Sequence, residues 1–309
     1  MRDALTVSTN PLRKVKVLAP LSDFPWDGES FLIPGLCSIL KRDVVSQQPE
    51  CQKLLSQLHE VEQRELGEGS HWLVFDQAQN ESLSEAAKIN IFLLALWLVA
   101  PTRARVRFRF ELSSELDSGM GHPGSIARML DQFQFIGSSV HDSVSTEQIE
   151  EVSTYVAPMR SIFVAQQRLW NGLVLTLYGC MAFQWQVAFI CFSAAAEGIL
   201  TYKKTPKITK RLAKSFACLT NSGKLERDSA YRAFAHSYDI RSDIMHGRAG
   251  NLRNGQDNLK ELGQWSDLLR LLWKTVLASP SVMSELEKSD TDRERYFIQR
   301  EANYEAPTS

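Results

Sequence analysis

The pattern of apolar and polar residues divides the chain into two parts of different construction. In the first part, apolar residues alternate with polar ones in short segments, most regularly over residues 104–112. Successive side chains of a strand point to opposite faces, so this alternation predicts a strand with one buried and one solvent-facing side. Residues 15–19 and 72–75 are also predicted strands. In the strand predicted over 104–112, the inward-facing residues are Val106, Phe108, Phe110 and Leu112. The outward-facing residues are Arg105, Arg107, Arg109 and Glu111.

Helices are expected among these strands. Residues 82–85 read Ser-Leu-Ser-Glu, which has the form of a capping box with Ser82 at the helix start and Glu85 three residues on. The apolar run 89–100 predicts a buried helix that is too short to cross a membrane. Residues 113–145 are rich in loop-forming residues, with a short helix expected around 125–135. This mixture predicts an α+β N-terminal domain.

The pattern changes after the middle of the chain. From residue 162 to residue 278, every long segment repeats its apolar residues at helical spacing. Breakers occur at Pro206, in a turn at 221–223 and in a loop at 247–255. The sequence therefore predicts an all-α helical bundle and a mainly α-helical protein, with a domain boundary near 146–158. The predicted divisions are residues 1–155, residues 156–280, and a polar tail, 281–309, that frays beyond a short helix.

Composition and charge restrict the possible functions. The 309 residues are 44% hydrophobic and 23% charged, which is typical of a globular protein. The formal net charge of −1 argues against a surface built throughout for nucleic acid, so such a contact would need a local basic patch. The five cysteines are widely spaced, which argues against a disulfide framework and a cysteine-based zinc site. The first residues lack the pattern of a secretory signal, so a reducing cytoplasm is expected.

One stretch competes with the cytoplasmic interpretation. Residues 169–196 contain no charged side chain and are long enough to span a bilayer. Lys203, Lys204 and Lys207 follow in the position of cytoplasmic anchors. Polar residues and glycines interrupt the stretch, however, and two buried helices that meet near Phe183 explain it equally well. We favour the two helices and expect no membrane partner.

The segment 238–247 carries the candidate chemistry. It reads Tyr-Asp-Ile-Arg-Ser-Asp-Ile-Met-His-Gly, and it would end a helix at Gly247, because glycine tolerates the left-handed conformation of a helix end. His246 would lie in the last turn, where the helix dipole favours the imidazolium. Arg241 offers a permanently charged planar group suited to a phosphate. Together the two side chains provide proton transfer and charge stabilisation, which are the main needs of RNA backbone cleavage.

This segment resembles the nuclease signature of HEPN domains, in which an arginine is followed by four to six residues and then a histidine. Its form is similar to that of the Apea-like branch, with Arg241 and His246 in the two chemical positions. Residues 192–200, Phe-Ser-Ala-Ala-Ala-Glu-Gly-Ile-Leu, resemble the acidic helix that precedes the motif in that branch. The resemblance covers roughly residues 160–280 and implies a HEPN-like helical domain.

Helix geometry and the resemblance lead to the same expectation about assembly. Five residues at about 100° each leave Arg241 and His246 roughly 140° apart around a helix, so one helix cannot easily aim both at one phosphate. A symmetric pair of helices can. The resemblance implies a homodimer with a composite site, metal-independent attack by the RNA 2′-hydroxyl, and a 2′,3′-cyclic phosphate product. It also implies a role in defence against phage or in toxin-like action, in either case through RNA cleavage.

Three further residues are candidates to support the pair. Glu197 either pairs with Arg241 across the bundle or forms a salt bridge on the helix surface. Its apolar surroundings favour the first, because an unpaired buried carboxylate is costly. Ser242 and Asp243 lie beside the motif, where they would orient the imidazole, contact the ribose or belong to the solvated helix surface. The sequence leaves these roles open.

A basic segment lies between the acidic helix and the motif. A helix that begins near Pro206 would bring four of its cations onto one broad side, suited to a phosphate backbone. A solvated helix face balanced by acids elsewhere is the alternative. The segment and the motif together favour RNA as the partner. The six cations are Lys203, Lys204, Lys207, Lys210, Arg211 and Lys214.

No cofactor or metal is expected. The remaining histidines form no ligand spacing such as H-E-x-x-H, and the loop at 119–124 lacks the lysine of a phosphate-binding loop. The motif and the resemblance therefore predict a metal-independent endoribonuclease, with residues 1–155 sensing or recruiting an unidentified trigger. The alternative is a catalytically inactive HEPN-like module that binds RNA or dimerises, with Arg241 in an internal ion pair.

Overall fold

In the computed structural model, the chain folds into two compact units. The first comprises Met1–Phe133 and His141–Val156, and the second comprises Gln134–Val140 and Ala157–Ser309. The later division point falls within the helix Thr146–Ala165. The residues that the structure describes are 15–47, 51–52, 55–56, 60, 63, 69–76, 83–112, 124–128, 140–165, 167–202, 208–248, 255–302 and 304.

The first unit contains an antiparallel sheet, and the described chain is otherwise mainly helical. This confirms the predicted fold class, an α+β part followed by a helical part. The described strands are β1 (Val15–Ser22), β2 (Ser30–Ile33), β3 (Cys37–Lys41), β4 (Gly69–Asp76), β5 (Arg105–Val106), β6 (Phe108–Leu112) and β7 (Gly124–Arg128). Their order across the sheet is β2-β3-β4-β1-β6-β7, and the short β5 also pairs with β1.

The alternating segment 104–112 forms two strands rather than one. β5 and β6 are separated by a single residue, and both pair with β1. The inward-facing side chains of Val106, Phe108 and Phe110 are buried, as the period-two pattern predicts. The ring of Trp72 on β4 stacks on that of Phe110 at 5.6 Å between centroids. The segment therefore supplies one wall of the core of the first unit.

Two parts of the sheet differ from the sequence prediction. Residues 30–41 form a β2–β3 hairpin that is missing from the prediction, and its turn contains Gly35 at a φ of 69°. The Pro-Gly pair in that turn is the local signal that marks it. The helix predicted around 125–135 is wrong over 125–128, because these residues belong to β7 and pair with β6. Backbone pairing with the sheet overrides the local pattern there.

Among the described residues, two helices lie wholly within the first unit. α1 (Arg42–Ser46) follows β3, and α2 (Glu85–Val99) is buried along most of its length, which confirms the predicted buried helix. The N-cap of α2 is Ser84, whose hydroxyl accepts a hydrogen bond from the Ala87 backbone N–H at 3.3 Å. The prediction of Ser82 as the capping residue is therefore wrong, and Ser82 itself lies outside the described residues.

Helices continue through the rest of the described chain. The uncharged stretch 169–196 is divided between two of them, which end and begin on either side of Phe183. This confirms the interpretation as two helices. None of the described helices is both long enough and apolar enough to cross a membrane. The helices are α3 (Thr146–Ala165), α4 (Arg168–Met181), α5 (Trp185–Leu200), α6 (Ile208–Thr220), α7 (Lys224–Met245), α8 (Gly255–Leu277), α9 (Pro280–Glu287) and α10 (Asp290–Glu301).

Aromatic side chains form the core of the bundle. The ring of Trp265 on α8 stacks on Phe189 of α5 at 5.9 Å and meets Phe234 of α7 edge-on at 4.9 Å. The Trp265 indole N–H donates to the Ser193 hydroxyl at 3.1 Å, so its one polar group keeps a partner after burial. α5, α7 and α8 are thereby held at fixed distances from one another.

The prediction that residues 281–309 form a fraying tail is wrong for the described part of that segment. α9 and α10 occupy it, and Tyr304 beyond them is buried. Glu287 on α9 accepts the first two backbone N–H groups of α4, at 2.9 and 2.8 Å, and so caps that helix. Phe297 is fully buried and stacks on Tyr202 at 5.3 Å. The segment is polar overall, so its composition does not indicate that a few of its side chains are buried and hold it in place.

A buried histidine, His71 on β4, lies in the first unit. It is 1% exposed, and its ring centre is 5.5 Å from that of Phe24 and 5.0 Å from that of Trp26. Its Nε2 lies 2.7 Å from the Gly28 carbonyl, and its Nδ1 lies 2.9 Å from the Ser70 hydroxyl. A carbonyl only accepts, so Nε2 carries the proton and Nδ1 remains an acceptor. Burial lowers the pKa of His71 below its usual range.

We expect His71 to make the first unit less stable in mild acid. The unfolded chain binds a proton at this residue near the ordinary histidine pKa of about 6.5, whereas the folded chain does so only at lower pH. The contribution of neutral His71 to the free energy of unfolding is therefore fully present above about pH 6.5. It is lost as the pH falls towards the lower pKa of the folded state, by at most about 1.4 kcal/mol per pH unit. Hydrogen exchange of peptides spanning β4, corrected for intrinsic exchange rates, measures this loss of protection.

The matched comparison is with His71→Gln, which removes the titrating group, and with His141→Gln, which changes an exposed histidine of the same unit. Protection of β4 should decrease as the pH is lowered in the wild type and in His141→Gln, and it should decrease less steeply in His71→Gln. The same pH response in all three proteins would contradict the expectation.

Candidate functional site

Helix α7 ends where the sequence motif ends. Its last residue is Met245, His246 is the C-cap, and Gly247 has a φ of 68°. The next N–H group, that of Arg248, donates to the carbonyl of Asp243 at 2.8 Å and closes the helix end. Left-handed backbone at this position favours glycine, so the predicted helix end at Gly247 is confirmed.

Arg241 lies on α7 about one and a half turns before this end and contacts α5. Its Nη2 atom is 3.2 Å from Oε1 of Glu197, and the two side chains are 30% and 25% exposed. The ion pair links α7 to α5, so the favoured of the two alternatives for Glu197, pairing with Arg241 across the bundle, is the one observed. A charge-assisted contact that is partly withdrawn from water holds the planar guanidinium in one orientation.

Tyr238 shares the same carboxylate oxygen. Its hydroxyl donates to Oε1 of Glu197 at 2.7 Å, and the guanidinium carbon of Arg241 lies 5.3 Å from the centre of its ring. A spacing of three residues puts Tyr238 and Arg241 on one face of α7. Burial, then the hydrogen bond to Glu197 and the charge of that group, raise the pKa of Tyr238, while Arg241 and Arg211 oppose the rise. Tyr238 therefore stays a hydrogen-bond donor at neutral pH.

His246 faces solvent beyond this cluster. Its side chain is exposed and has no hydrogen bond or ion pair with another described residue. Its backbone N–H donates to the Ser242 carbonyl at 3.1 Å, so Ser242 contributes its backbone to the helix end. The Asp243 carboxylate lies 3.6 Å from Nε of Arg248 and is not hydrogen-bonded to the imidazole. The imidazole is accessible to a ligand from solvent.

Helix α6 carries the described half of the basic segment. Lys203, Lys204 and Lys207 lie outside the described residues, and the described helix begins at Ile208. Lys210 is exposed on α6. Its ammonium group is available to an anionic partner such as a phosphate backbone.

The other two cations of α6 have contacts within the protein. The guanidinium of Arg211 lies over the Tyr202 ring at 4.9 Å, and its charge also acts on the nearby Tyr238 hydroxyl. Lys214 lies 3.8 Å from the carboxylate of Glu301 on α10. The basic side of α6 is thus partly neutralised by α10, so the three described cations, Lys210, Arg211 and Lys214, are not equivalent candidates for RNA contact.

Two residues of this arrangement, Tyr238 and Glu301, were not predicted from the sequence as part of the site. Tyr238 belongs to the motif, and its spacing of three from Arg241 is a signal that would identify it as a neighbour on α7. Glu301 comes from the segment predicted to fray, and nothing in its local sequence links it to α6. Only the folded chain reveals that contact.

The arrangement combines an anchored cation with an accessible imidazole. The guanidinium of Arg241 is held against Glu197 and is of a type that binds anionic groups, and an imidazole such as that of His246 can accept or donate a proton. Within the part of the chain that the structure describes, no group of three His, Cys, Asp or Glu side chains could hold a metal ion. Together, the guanidinium and the imidazole are groups suited to anion stabilisation and proton transfer.

Comparison with known proteins adds no assignment. The chain matches no protein-family model, no curated protein and no solved structure. The functional interpretation depends on the residues themselves.

We expect Glu197 and Arg241 to stabilise each other measurably. In a double-mutant cycle of Glu197→Gln and Arg241→Gln, the coupling free energy should be about 1 kcal/mol, because the pair is mostly shielded from water and shares a network with Tyr238. Urea unfolding of the four proteins measures it. The exposed pair of Asp243 and Arg248 is the matched control and should couple by about 0 kcal/mol. Equal coupling in both cycles would count against the anchoring of Arg241.

Proposed function

We propose that the protein is a metal-independent endoribonuclease of the HEPN type. The observation that carries the proposal is the anchoring of Arg241 by Glu197 and Tyr238, five residues before an exposed His246 at the end of α7. An arginine held in this way needs no reorganisation when negative charge develops on a phosphate, and such preorganised electrostatics is usually the largest source of catalysis.

The proposed reaction is an internal transfer at one phosphate of RNA. The ribose 2′-oxygen bonds to the adjacent phosphorus, and the bond to the 5′-oxygen of the next nucleotide breaks. One His246 takes the proton from the 2′-hydroxyl, and a protonated His246 gives a proton to the leaving 5′-oxygen. Arg241 stabilises the non-bridging oxygens, whose charge grows in the pentacovalent transition state. The products are a 2′,3′-cyclic phosphate and a 5′-hydroxyl.

The working form in this proposal is a homodimer. Arg241 points to Glu197 and His246 lies about 140° further round α7, so one protomer cannot easily direct both at one phosphate. Two symmetry-related α7 helices would present both groups in a shared groove. Met245, beside His246, is apolar and 54% exposed, which supports a partner surface there. A Cβ added to Gly198 on α5 would meet nothing within 4 Å, so α5 is open at this position.

The first unit and the cellular setting complete the proposal. Residues 1–155 would bind the trigger that starts cleavage, and a separately compact first unit supports that division of labour. RNA cleavage would take place in the cytoplasm as a response to infection by phage. This part of the proposal follows from the HEPN resemblance of the motif.

RNA cleavage by purified protein in EDTA tests the nuclease proposal. The wild type should cut RNA and leave 2′,3′-cyclic phosphate ends, whereas His246→Ala should lose at least about 100-fold in rate, the usual contribution of a general acid or base. His236→Ala is the matched control, because His236 is an exposed histidine of the same helix, 3.3 Å from Glu261. Folding and sedimentation of all three proteins are measured in parallel.

The outcomes of this experiment separate the proposed mechanism from its competitors. Loss of cleavage in folded, dimeric His246→Ala, with normal cleavage by His236→Ala, supports it. Cleavage that survives in His246→Ala, or that EDTA abolishes in the wild type, contradicts it.

A non-catalytic module that binds RNA or dimerises is the second candidate function. The ion pair itself favours this alternative, since Glu197 already neutralises Arg241. If the alternative holds, Arg241→Gln alters the free energy of unfolding and no RNA is cut by any variant. If the nuclease proposal holds, folded Arg241→Gln loses cleavage far beyond its loss of stability.

We expect Lys210 to contact an RNA phosphate. Lys210→Ala should weaken RNA binding similarly for all sequences and reduce the slope of log K against log salt by about 1. Fluorescence anisotropy with a labelled single-stranded RNA over a salt series measures the slope. Lys260→Ala, which changes an exposed lysine of α8, is the matched control. Equal slopes of log K against log salt for the two variants would contradict a contact between Lys210 and RNA.

A further inference from the structure

Tyr238 differs from the other buried tyrosine of α7. The residue is 2% exposed, its ring stacks on Phe234 at 6.3 Å between centroids, and its hydroxyl donates a hydrogen bond to Glu197 on α5. Tyr231, on the same helix, is 7% exposed, and its hydroxyl has no hydrogen bond to another described side chain. Core packing alone therefore accounts for Tyr231, whereas Tyr238 also has a polar contact.

The polar contact of Tyr238 restricts the motion of Glu197. A glutamate side chain that is 25% exposed can turn its carboxylate towards solvent or follow a moving guanidinium. The Tyr238 ring is fixed by the core, so its hydroxyl, 2.7 Å from Oε1, fixes that oxygen in turn. Supporting contacts of this kind hold functional groups within the narrow tolerance that catalysis requires. The Tyr238 ring thus fixes the position of the Glu197 carboxylate, and the carboxylate in turn fixes the orientation of Arg241.

The ring of Tyr238 also restricts Arg241 directly. The guanidinium carbon lies 5.3 Å from the ring centre, within the range of a cation–π contact. The Nε atom of Arg241 is buried and has no hydrogen-bond partner among the described residues. Among the described residues, the direction of the guanidinium therefore depends on the Tyr238 ring and on the contact of Nη2 with Glu197.

We propose that Tyr238 is a positioning residue that sets the direction of the Arg241 guanidinium, mainly by fixing Glu197. The kinetic part of this inference rests on the proposed nuclease function. The orientational part depends on the contacts alone and is tested without any activity.

Tyr238→Phe tests the orientational part, because it removes the hydroxyl and keeps the ring in the core. Arginine side-chain ¹⁵N NMR reports rotation about the Nε–Cζ bond, and the Arg241 signal is identified by its absence in Arg241→Lys. Rotation should be slow in the wild type and about five- to tenfold faster in Tyr238→Phe, the factor that one ordinary hydrogen bond contributes. Tyr231→Phe is the matched control and should leave the signal unchanged.

RNA cleavage by the same variants tests the kinetic part. Tyr238→Phe should lower kcat about tenfold with little change in KM, because a misdirected Arg241 loses contacts that form in the transition state. Tyr231→Phe should keep the wild-type kcat. If Tyr238 were only structural, kcat per folded molecule would not change in either variant.

The possible results distinguish failure of this inference from failure of the proposed function. Unchanged rotation of Arg241 in Tyr238→Phe overturns the inference, whether or not the protein cuts RNA. Faster rotation with unchanged kcat overturns the kinetic role. Faster rotation in a protein that cuts no RNA supports the positioning role and counts against the nuclease. If Tyr238→Phe does not fold, Glu197→Gln removes the charge that Tyr238 fixes, and it should free the guanidinium to the same extent.

Discussion

A single oxygen, Oε1 of Glu197, receives both the Tyr238 hydroxyl and the Arg241 guanidinium, and the candidate site depends on this sharing. The aromatic core makes it possible, because Trp265 packs between Phe189, on the helix of Glu197, and Phe234, on the helix of Tyr238. Dense packing fixes the distance between α5 and α7, and the carboxylate then spans the gap that remains. The polar network adds direction to a spacing that apolar contacts set.

The features that the sequence predicts well depend on near neighbours along the chain. The end of α7 follows from Gly247, and the separation of α4 from α5 follows from the polar interruptions near Phe183. The placement of the motif in the last turns of a helix is local in the same sense. Pairing of Arg241 with Glu197 is an exception, because the two residues lie on different helices; it was predictable as the favoured of two alternatives, since an acid within an apolar helix needs a partner.

Features that depend on distant partners were not predictable in this way. Strand β7 lies where the local pattern suggests helix, because pairing with β6 outweighs local preference. Glu301 reaches Lys214 from a segment whose polar composition resembles a frayed tail. The contact of Tyr238 with Glu197 was also missing from the prediction, although its spacing of three residues from Arg241 places the two side chains on one face of α7. A sequence lists which groups can meet, and packing decides which of them do.

The cap that Glu287 places on α4 has a consequence for how the second unit is made. Its contacts with the start of α4 join residues 118 and 119 positions apart in the sequence. During synthesis, α4 therefore emerges long before the carboxylate that completes its first turn. Contacts of such high sequence separation also slow folding, because a long loop must close before they form. The cap on α4 can form only after α9 has left the ribosome, so chain synthesis sets the earliest time at which the second unit reaches its final packing.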